Sequence, residues 1–190
     1  MNKKILYSDR IHSFKEYIEL LRNGNSREIL DVENRRKTII DSLKQQFDVD
    51  AVGELSPSIV NIIHEKINDL EPYAGLVTHF PYDKEFLDEL LNSEKARDMK
   101  PDEIRQKMYQ HSFDLSKRIR NLDSNLVMIA YTGCSTGESG DPSTSFMNQM
   151  LRDAGFNDVV YKTRHLFNDS HLVLEKAMRL MNVSEEYLKV

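Results

Sequence analysis

Residues 125–161 read NLVMIAYTGCSTGESGDPSTSFMNQMLRDAGFNDVVY, and this stretch decides the fold. It begins with an unbroken apolar run over 126–131, which is typical of a strand buried on both faces. A loop of small residues follows, then a helical pattern between Phe146 and Leu151, then a second apolar run that ends at Tyr161. The order strand, loop, helix, strand predicts a βαβ unit. Its loop is expected at the carboxyl edge of the sheet, where such folds bind ligands.

That loop contains the candidate functional residues. It is rich in glycine, serine and threonine, so successive backbone N–H groups can converge on an anion beside a helix N-terminus. The same surroundings lower the pKa of a thiol, and the only cysteine of the chain lies there. We therefore predict a catalytic nucleophile, Cys134, within an anion-binding loop of Gly133, Ser135, Thr136, Gly137, Glu138, Ser139 and Gly140.

Composition limits the remaining choices. The chain has 190 residues, of which 39% are hydrophobic and 30% charged, as expected for a globular domain. A net charge of −5 argues against a broad nucleic-acid-binding surface. No apolar run is long enough to span a membrane, the start lacks a signal peptide, and one cysteine fits the reducing cytoplasm. Without paired cysteines or HExxH spacing, we expect no metal and no cofactor.

The rest of the chain predicts mostly helix. We expect one α/β domain over 1–190, with a small, mainly parallel sheet flanked by helices and a largely helical N-terminal half. Its helix-rich elaboration covers about 1–122, and its βαβ core with the cysteine loop covers about 125–165. Helices are predicted over 33–47, from Pro57, over 86–91, from Pro101 to Leu122, over 143–153 and over 173–181, and additional short strands over 28–32 and 76–81.

Two catalytic motifs match the loop in part. Residues 133–137 fit the G-x-S-x-G elbow of α/β-hydrolases, and Asp169 and His171 follow in the chain order of a triad. In that fold the helix begins at the serine, whereas six residues intervene here before the helical pattern. The phosphatase motif C-x5-R fails because Gly140 stands where the arginine that grips phosphate is needed.

The segment from Leu126 to Tyr161 resembles the active-site half of a rhodanese-like domain. In that family an apolar strand ends in a cysteine loop, and a helix then leads into the pattern Leu-x-x-x-Gly-Phe, here residues 151–156. Residues 29–33 resemble the early strand of the family, and residues 79–82 resemble the segment after its glycine-histidine turn. The loop departs from the family because it is longer than usual and contains no arginine.

The resemblance implies a sulfurtransferase. The Cys134 thiolate would take sulfane sulfur from a donor, hold the persulfide among the loop amides and pass it to an acceptor. Arg164 or His165, just after the last strand, would face the loop. The sequence leaves an alternative open, a catalytically silent binding or interaction module on a rhodanese-like or flavodoxin-like scaffold. The expected partners are a small anionic or sulfur-containing ligand and, for the interaction module, another protein.

Overall fold

The computed structural model describes residues 2–9, 26–53, 56–80, 83–93, 99–133, 142–163 and 166–182. Its strands are β1 (Lys4–Ser8), β2 (Asp48–Val52), β3 (Tyr73–Phe80), β4 (Val127–Thr132) and β5 (Asp158–Tyr161). Its helices are α1 (Ser26–Leu43), α2 (Pro57–Lys66), α3 (Lys84–Asn92), α4 (Pro101–Leu122), α5 (Pro142–Asp153) and α6 (Leu166–Leu180).

The five strands form one parallel sheet in the order β2-β1-β3-β4-β5. This order is that of a doubly wound sheet, in which the winding direction reverses between β1 and β3. The predicted α/β domain, with a small parallel sheet flanked by helices, is confirmed. Three of the five strands precede residue 123: β3 pairs directly with β4 of the βαβ core that the sequence singled out, and β1 and β2 extend the sheet beyond β3.

Each face of the sheet carries its own core. Helices α1 and α6 cover one face, where they pack on side chains such as Ile5, Val77 and Ile129. Helices α2, α4 and α5 cover the other face and pack on side chains such as Leu6 and Met128. Because side chains alternate along a strand, neighbouring residues of β1 and β4 enter opposite cores.

Strand β4 is buried as its composition predicts, but it is not the central strand. Met128 and Ile129 are fully buried. The central position belongs to β3, which has β1 on one side and β4 on the other. Strands β1 and β2 lie on the far side of β3, and the sequence analysis did not predict them.

The predicted strand over 28–32 is also wrong. These residues lie within α1, whose later turns bury Ile39, Ile40 and Leu43 against the sheet. A five-residue segment with three apolar residues has no decisive period, so the longer helical pattern that follows it determines the structure. The helix starts at Pro57 and Pro101 are confirmed, and α4 ends at Leu122 as predicted.

Candidate functional site

Polar side chains gather at the carboxyl edge of the sheet, on the face that α1 and α6 cover. Asp9 directly follows β1, His79 is the penultimate residue of β3, and Lys162 directly follows β5. Strand alternation places these residues on the side of Tyr7, Val77 and Val160, which belong to the same core. All strands are parallel, so their ends meet at one edge. The reversal between β1 and β3 opens the crevice in which doubly wound folds bind ligands.

Asp9, His79 and Lys162 form a continuous row. Oδ1 of Asp9 lies 3.0 Å from Nδ1 of His79, and Nζ of Lys162 lies 3.0 Å from Nε2 of the same ring. An ammonium group only donates hydrogen bonds, so Nε2 of His79 is the acceptor. In the neutral ring the proton then resides on Nδ1, the nitrogen next to the Asp9 carboxylate. The row therefore consists of a carboxylate, an imidazole and an ammonium group.

The charge of Asp9 is stabilised by its neighbours. Burial alone would raise the pKa of this carboxyl group, but His79, the charge of Lys162 and the Tyr7 hydroxyl lower the pKa to about 2. The Tyr7 hydroxyl donates a hydrogen bond of 2.7 Å to Oδ2. Asp9 is consequently ionised throughout the neutral range. It is a weak proton acceptor, because general bases work best with a pKa near the ambient pH.

A second cluster surrounds Asp169 in the first turn of α6. This carboxylate is fully buried and accepts hydrogen bonds from Arg35 Nη1 at 2.5 Å and from the Tyr131 hydroxyl at 2.8 Å. Thr163 donates to the same carboxylate from its backbone N–H at 3.1 Å and from its hydroxyl at 2.6 Å. Asp169 thus ties α1, β4 and the end of β5 to α6.

Tyr131 connects the two clusters. Its hydroxyl binds Asp169, and Nζ of Lys162 lies over its ring, 4.8 Å from the centroid. Burial raises the pKa of Tyr131, with Asp169 adding to the rise and Arg35 opposing it. A cation over an aromatic face is held by the ring quadrupole. The position of Lys162 therefore depends on Tyr131 as well as on His79.

Among the described residues, the charged side chains named at this edge sum to a positive value. Arg35 and Lys162 contribute two cations, and Asp9 and Asp169 contribute two carboxylates. Arg36 adds a third cation, close enough that its charge opposes the burial-driven rise in the pKa of Tyr7. Within the described part of the chain, Nε of Arg36 is buried without a hydrogen-bond partner.

The structure describes only some of the site residues that the sequence predicts. Gly133 is exposed at the carboxyl edge, where its α-carbon faces the side chain of Lys162. Residues 134–140, which include Cys134 and the other loop positions, lie outside the described residues, as do Arg164 and His165. The hydrolase triad has no support in the described residues, because Asp169 binds Arg35 and Tyr131 while His171 is exposed.

The sequence analysis missed Asp9, His79 and Tyr131 as site residues. A signal was present, since each lies at or just after the last residues of an apolar run. In β1 that run is only Ile5 to Tyr7, too short to be recognised as a strand without its partners.

Over 2–9, 26–53, 56–80, 83–93, 99–133, 142–163 and 166–182, no group of three or more His, Cys, Asp or Glu side chains could hold a metal ion. No described helix is long and apolar enough to cross a bilayer.

The strand order is the flavodoxin-like one. Neither a protein-family model nor a curated protein matches the chain. Solved structures similar to it include the BeF3-activated receiver domain of DrrB, with 17% identity, a TM-score of 0.47 and coverage of 96% of this chain and 99% of that one. A response regulator in red light signaling of R. palustris has 12% identity, a TM-score of 0.49 and coverage of 96% of both chains. A CheY-like receiver domain from Methanospirillum hungatei has 11% identity, a TM-score of 0.46 and coverage of 97% and 100%. At these identities the likeness concerns the fold alone.

The rhodanese resemblance is wrong. Its early-strand landmark, residues 29–33, lies inside α1, and the first strand of the sheet is instead β1, at Lys4–Ser8. The sulfurtransferase function and the classification as a transferase depended on that resemblance and are withdrawn with it. The pattern Leu-x-x-x-Gly-Phe has a simpler origin here. Gly155 ends α5 in a left-handed conformation with φ +96°, and Phe156 enters the core.

Proposed function

We propose that the chain is a binding and interaction module that receives a small anionic group at the carboxyl edge of its sheet. The observation that carries this proposal is the row of Asp9, His79 and Lys162 at the β1/β3 crevice. Its outer member is a cation at the end of β5, beside the exposed backbone of Gly133. The loop from Gly133 to Gly140, rich in small residues, leaves the sheet at this point and would supply further N–H groups.

The charge balance supports an anion. Three cations, Arg35, Arg36 and Lys162, lie near two carboxylates, and both carboxylates are already paired. A small anion would compensate the excess positive charge, and the low-dielectric walls of the edge would strengthen the attraction. A cationic ligand would instead meet Lys162 first and be repelled.

The same geometry favours binding over acid–base catalysis. Asp9 has a pKa of about 2, and burial raises the pKa of Tyr7 and Tyr131 above that of free tyrosine. None of these three groups changes its protonation near neutral pH, as a general acid or base must. Asp169 is fully buried and accepts hydrogen bonds from four donor groups, so it serves as an organiser of the helices.

A protein partner would respond through α1 and α6. Lys162 lies on Tyr131, and Tyr131 shares Asp169 with Arg35, so an anion that draws Lys162 away alters the contacts between these two helices. Phe167 is 78% exposed, two residues before Asp169 on α6. An exposed aromatic beside a ligand-sensitive cluster suits recognition by another protein. The single cysteine supports a cytoplasmic location for the module.

Thermal unfolding in inorganic phosphate tests the proposal. The comparison solution is sodium chloride of equal ionic strength, which removes general screening. Phosphate should raise the Tm of the wild type in a saturable manner, because a ligand that binds only the folded state stabilises it. Lys162→Gln should lose this increase, whereas Lys117→Gln, on an exposed position of α4, should keep it. An unchanged Tm in phosphate, or an equal increase in Lys162→Gln, would refute the anion site.

A further inference from the structure

We propose that His79 is a phosphorylation site, whose Nε2 atom accepts a phosphoryl group from a small phosphoryl donor. This inference rests on the proposed anion site and names both its ligand class and the atom that reacts. It follows from the way in which Asp9 and Lys162 divide the two nitrogens of one imidazole ring. The result would be a module that carries its anion covalently.

The first step is the tautomer. Nε2 of His79 accepts from Lys162 at 3.0 Å, and Nδ1 faces the Asp9 carboxylate at 3.0 Å. The lone pair of the ring therefore lies on Nε2, at the outer side of the row, while the inner nitrogen holds the proton. A neutral imidazole held in one tautomer by a carboxylate is a prepared nucleophile.

The second step is charge. A phosphoryl group carries about −1.5 to −2 charges near neutral pH and offers three acceptor oxygens. Lys162 Nζ would exchange its hydrogen bond to Nε2 for one to a phosphoryl oxygen, which frees the lone pair at the moment the donor arrives. The ring of Tyr131 keeps this ammonium group near His79, because Nζ of Lys162 lies over the ring, 4.8 Å from its centroid.

The transfer balances without a further reagent. With phosphoramidate as donor, the Nε2 lone pair forms the new N–P bond and the donor's own P–N bond breaks. Ammonia leaves with the electron pair of that bond. With an acyl phosphate the broken bond is P–O, and a carboxylate leaves. The ring now has substituents on both nitrogens and a positive charge, and the adjacent Asp9 carboxylate stabilises that charge as the triad aspartate stabilises an imidazolium.

Other nucleophiles at the edge are less accessible. The side chain of His79 is 21% exposed, whereas that of Asp9 is 4% exposed and that of Asp169 fully buried. Tyr7 and Tyr131 are also fully buried, and each donates its hydroxyl proton to a carboxylate. Among these described groups, His79 is the one that a donor in solvent reaches.

The experiment treats the full chain with phosphoramidate at neutral pH and maps the product by tandem mass spectrometry. His64 and His171 are exposed and serve as internal references in the same molecule. We expect His79 to gain one phosphoryl group at least about tenfold faster than either reference, because Lys162 stabilises the developing charge. In urea the three rates should converge. The product should be labile in acid and stable in alkali, which separates a phosphohistidine from an acyl phosphate, because the acyl phosphate is hydrolysed in alkali as well.

Variants identify the role of each neighbour. Lys162→Gln should slow labelling of His79 by about tenfold or more, and Asp9→Asn should slow it as well, while the rates at His64 and His171 stay unchanged. A rate at His79 no faster than that at His171 in the folded wild type would overturn the inference, and this result needs no variant. Phosphate binding without labelling would refute the modification and leave the anion site in place. Absence of both would refute both.

Discussion

Oδ1 of Asp9 lies 3.0 Å from Nδ1 of His79, across the boundary between β1 and β3 where the sheet reverses its winding. Two strands that are far apart in sequence are adjacent in the sheet, and a contact between a carboxylate and an imidazole joins their carboxyl ends. Lys162 extends the contact to β5. The candidate site is therefore built from three strand ends and exists only when the sheet is assembled.

Replacing Asp9 with asparagine should change how stability depends on pH. The folded-state pKa of Asp9, about 2, is below the ordinary value of 3.8, so the ionised carboxylate stabilises the native state above pH about 4. This contribution is lost as the pH falls from about 4 to about 2. We expect Asp9→Asn to lower the free energy of unfolding at pH 7 by roughly 2–3 kcal/mol and to flatten the profile over that acidic range.

Urea unfolding at a series of pH values measures this effect. The matched control is Asp114→Asn, an exposed carboxylate on α4 that should retain the wild-type slope. Parallel profiles of the wild type and Asp9→Asn would contradict the account.

Removing the Asp169 carboxylate should be costly. Asp169→Ala leaves Arg35 and the Tyr131 hydroxyl without their shared acceptor, and loss of one partner of a buried pair costs about 3–5 kcal/mol. In a double-mutant cycle with Tyr131→Phe, measured by chemical unfolding, we expect a coupling of roughly 0.5–3 kcal/mol. Strictly additive effects would mean that the two residues do not share a network.

Gly155 should not tolerate a side chain. Its φ is +96°, and a β-carbon there would lie 2.9 Å from the side chain of Arg120, which donates hydrogen bonds to the carbonyls of Gly155 and Leu126. Gly155→Ala should lower the free energy of unfolding by about 1–2 kcal/mol from the backbone alone. Gly53→Ala is the control, since nothing lies within 4 Å of its added carbon, and it should change stability by less than about 0.5 kcal/mol. Equal effects at both glycines would refute this explanation.

The thiol of Cys134 should be dispensable. A binding module that holds its anion through Lys162 and backbone N–H groups needs no thiolate. We expect Cys134→Ser to keep the phosphate-dependent increase in Tm, within the error of the measurement. Loss of that increase would show that the cysteine takes part in binding.

The sequence predicted the fold better than the site. Residues 101–122 have a clear helical period and residues 126–131 form an unbroken apolar run, and their helix and strand appear where expected. Strands β1 and β2 were missed because five residues are too few to establish a period, and because β1 pairs with β2 and β3, which are distant in the sequence. Strand order is a tertiary property, so the edge that joins Asp9, His79 and Lys162 could not be derived from local patterns.

The cysteine loop drew attention because its composition alone suggests chemistry. The residues next to His79 and Asp9 in the sequence form no recognisable motif. The two side chains become neighbours only through the register in which β1 and β3 pair. Ser8 pairs with Thr78, and His79 pairs with Tyr131. In a parallel sheet, a polar residue at the end of a short apolar run is therefore as informative about a binding site as a loop motif.

NMR of the side-chain nitrogens of His79 and Lys162 during titration with inorganic phosphate tests the central claim most directly. Before phosphate is added, the account predicts a neutral His79 ring with its proton on Nδ1. Addition of phosphate should then shift the resonances of Nε2 of His79 and Nζ of Lys162 saturably, and those of His64 and His171 should move only with ionic strength. A His79 ring protonated on Nε2 alone, or phosphate shifts that leave both His79 and Lys162 unchanged, would contradict the account.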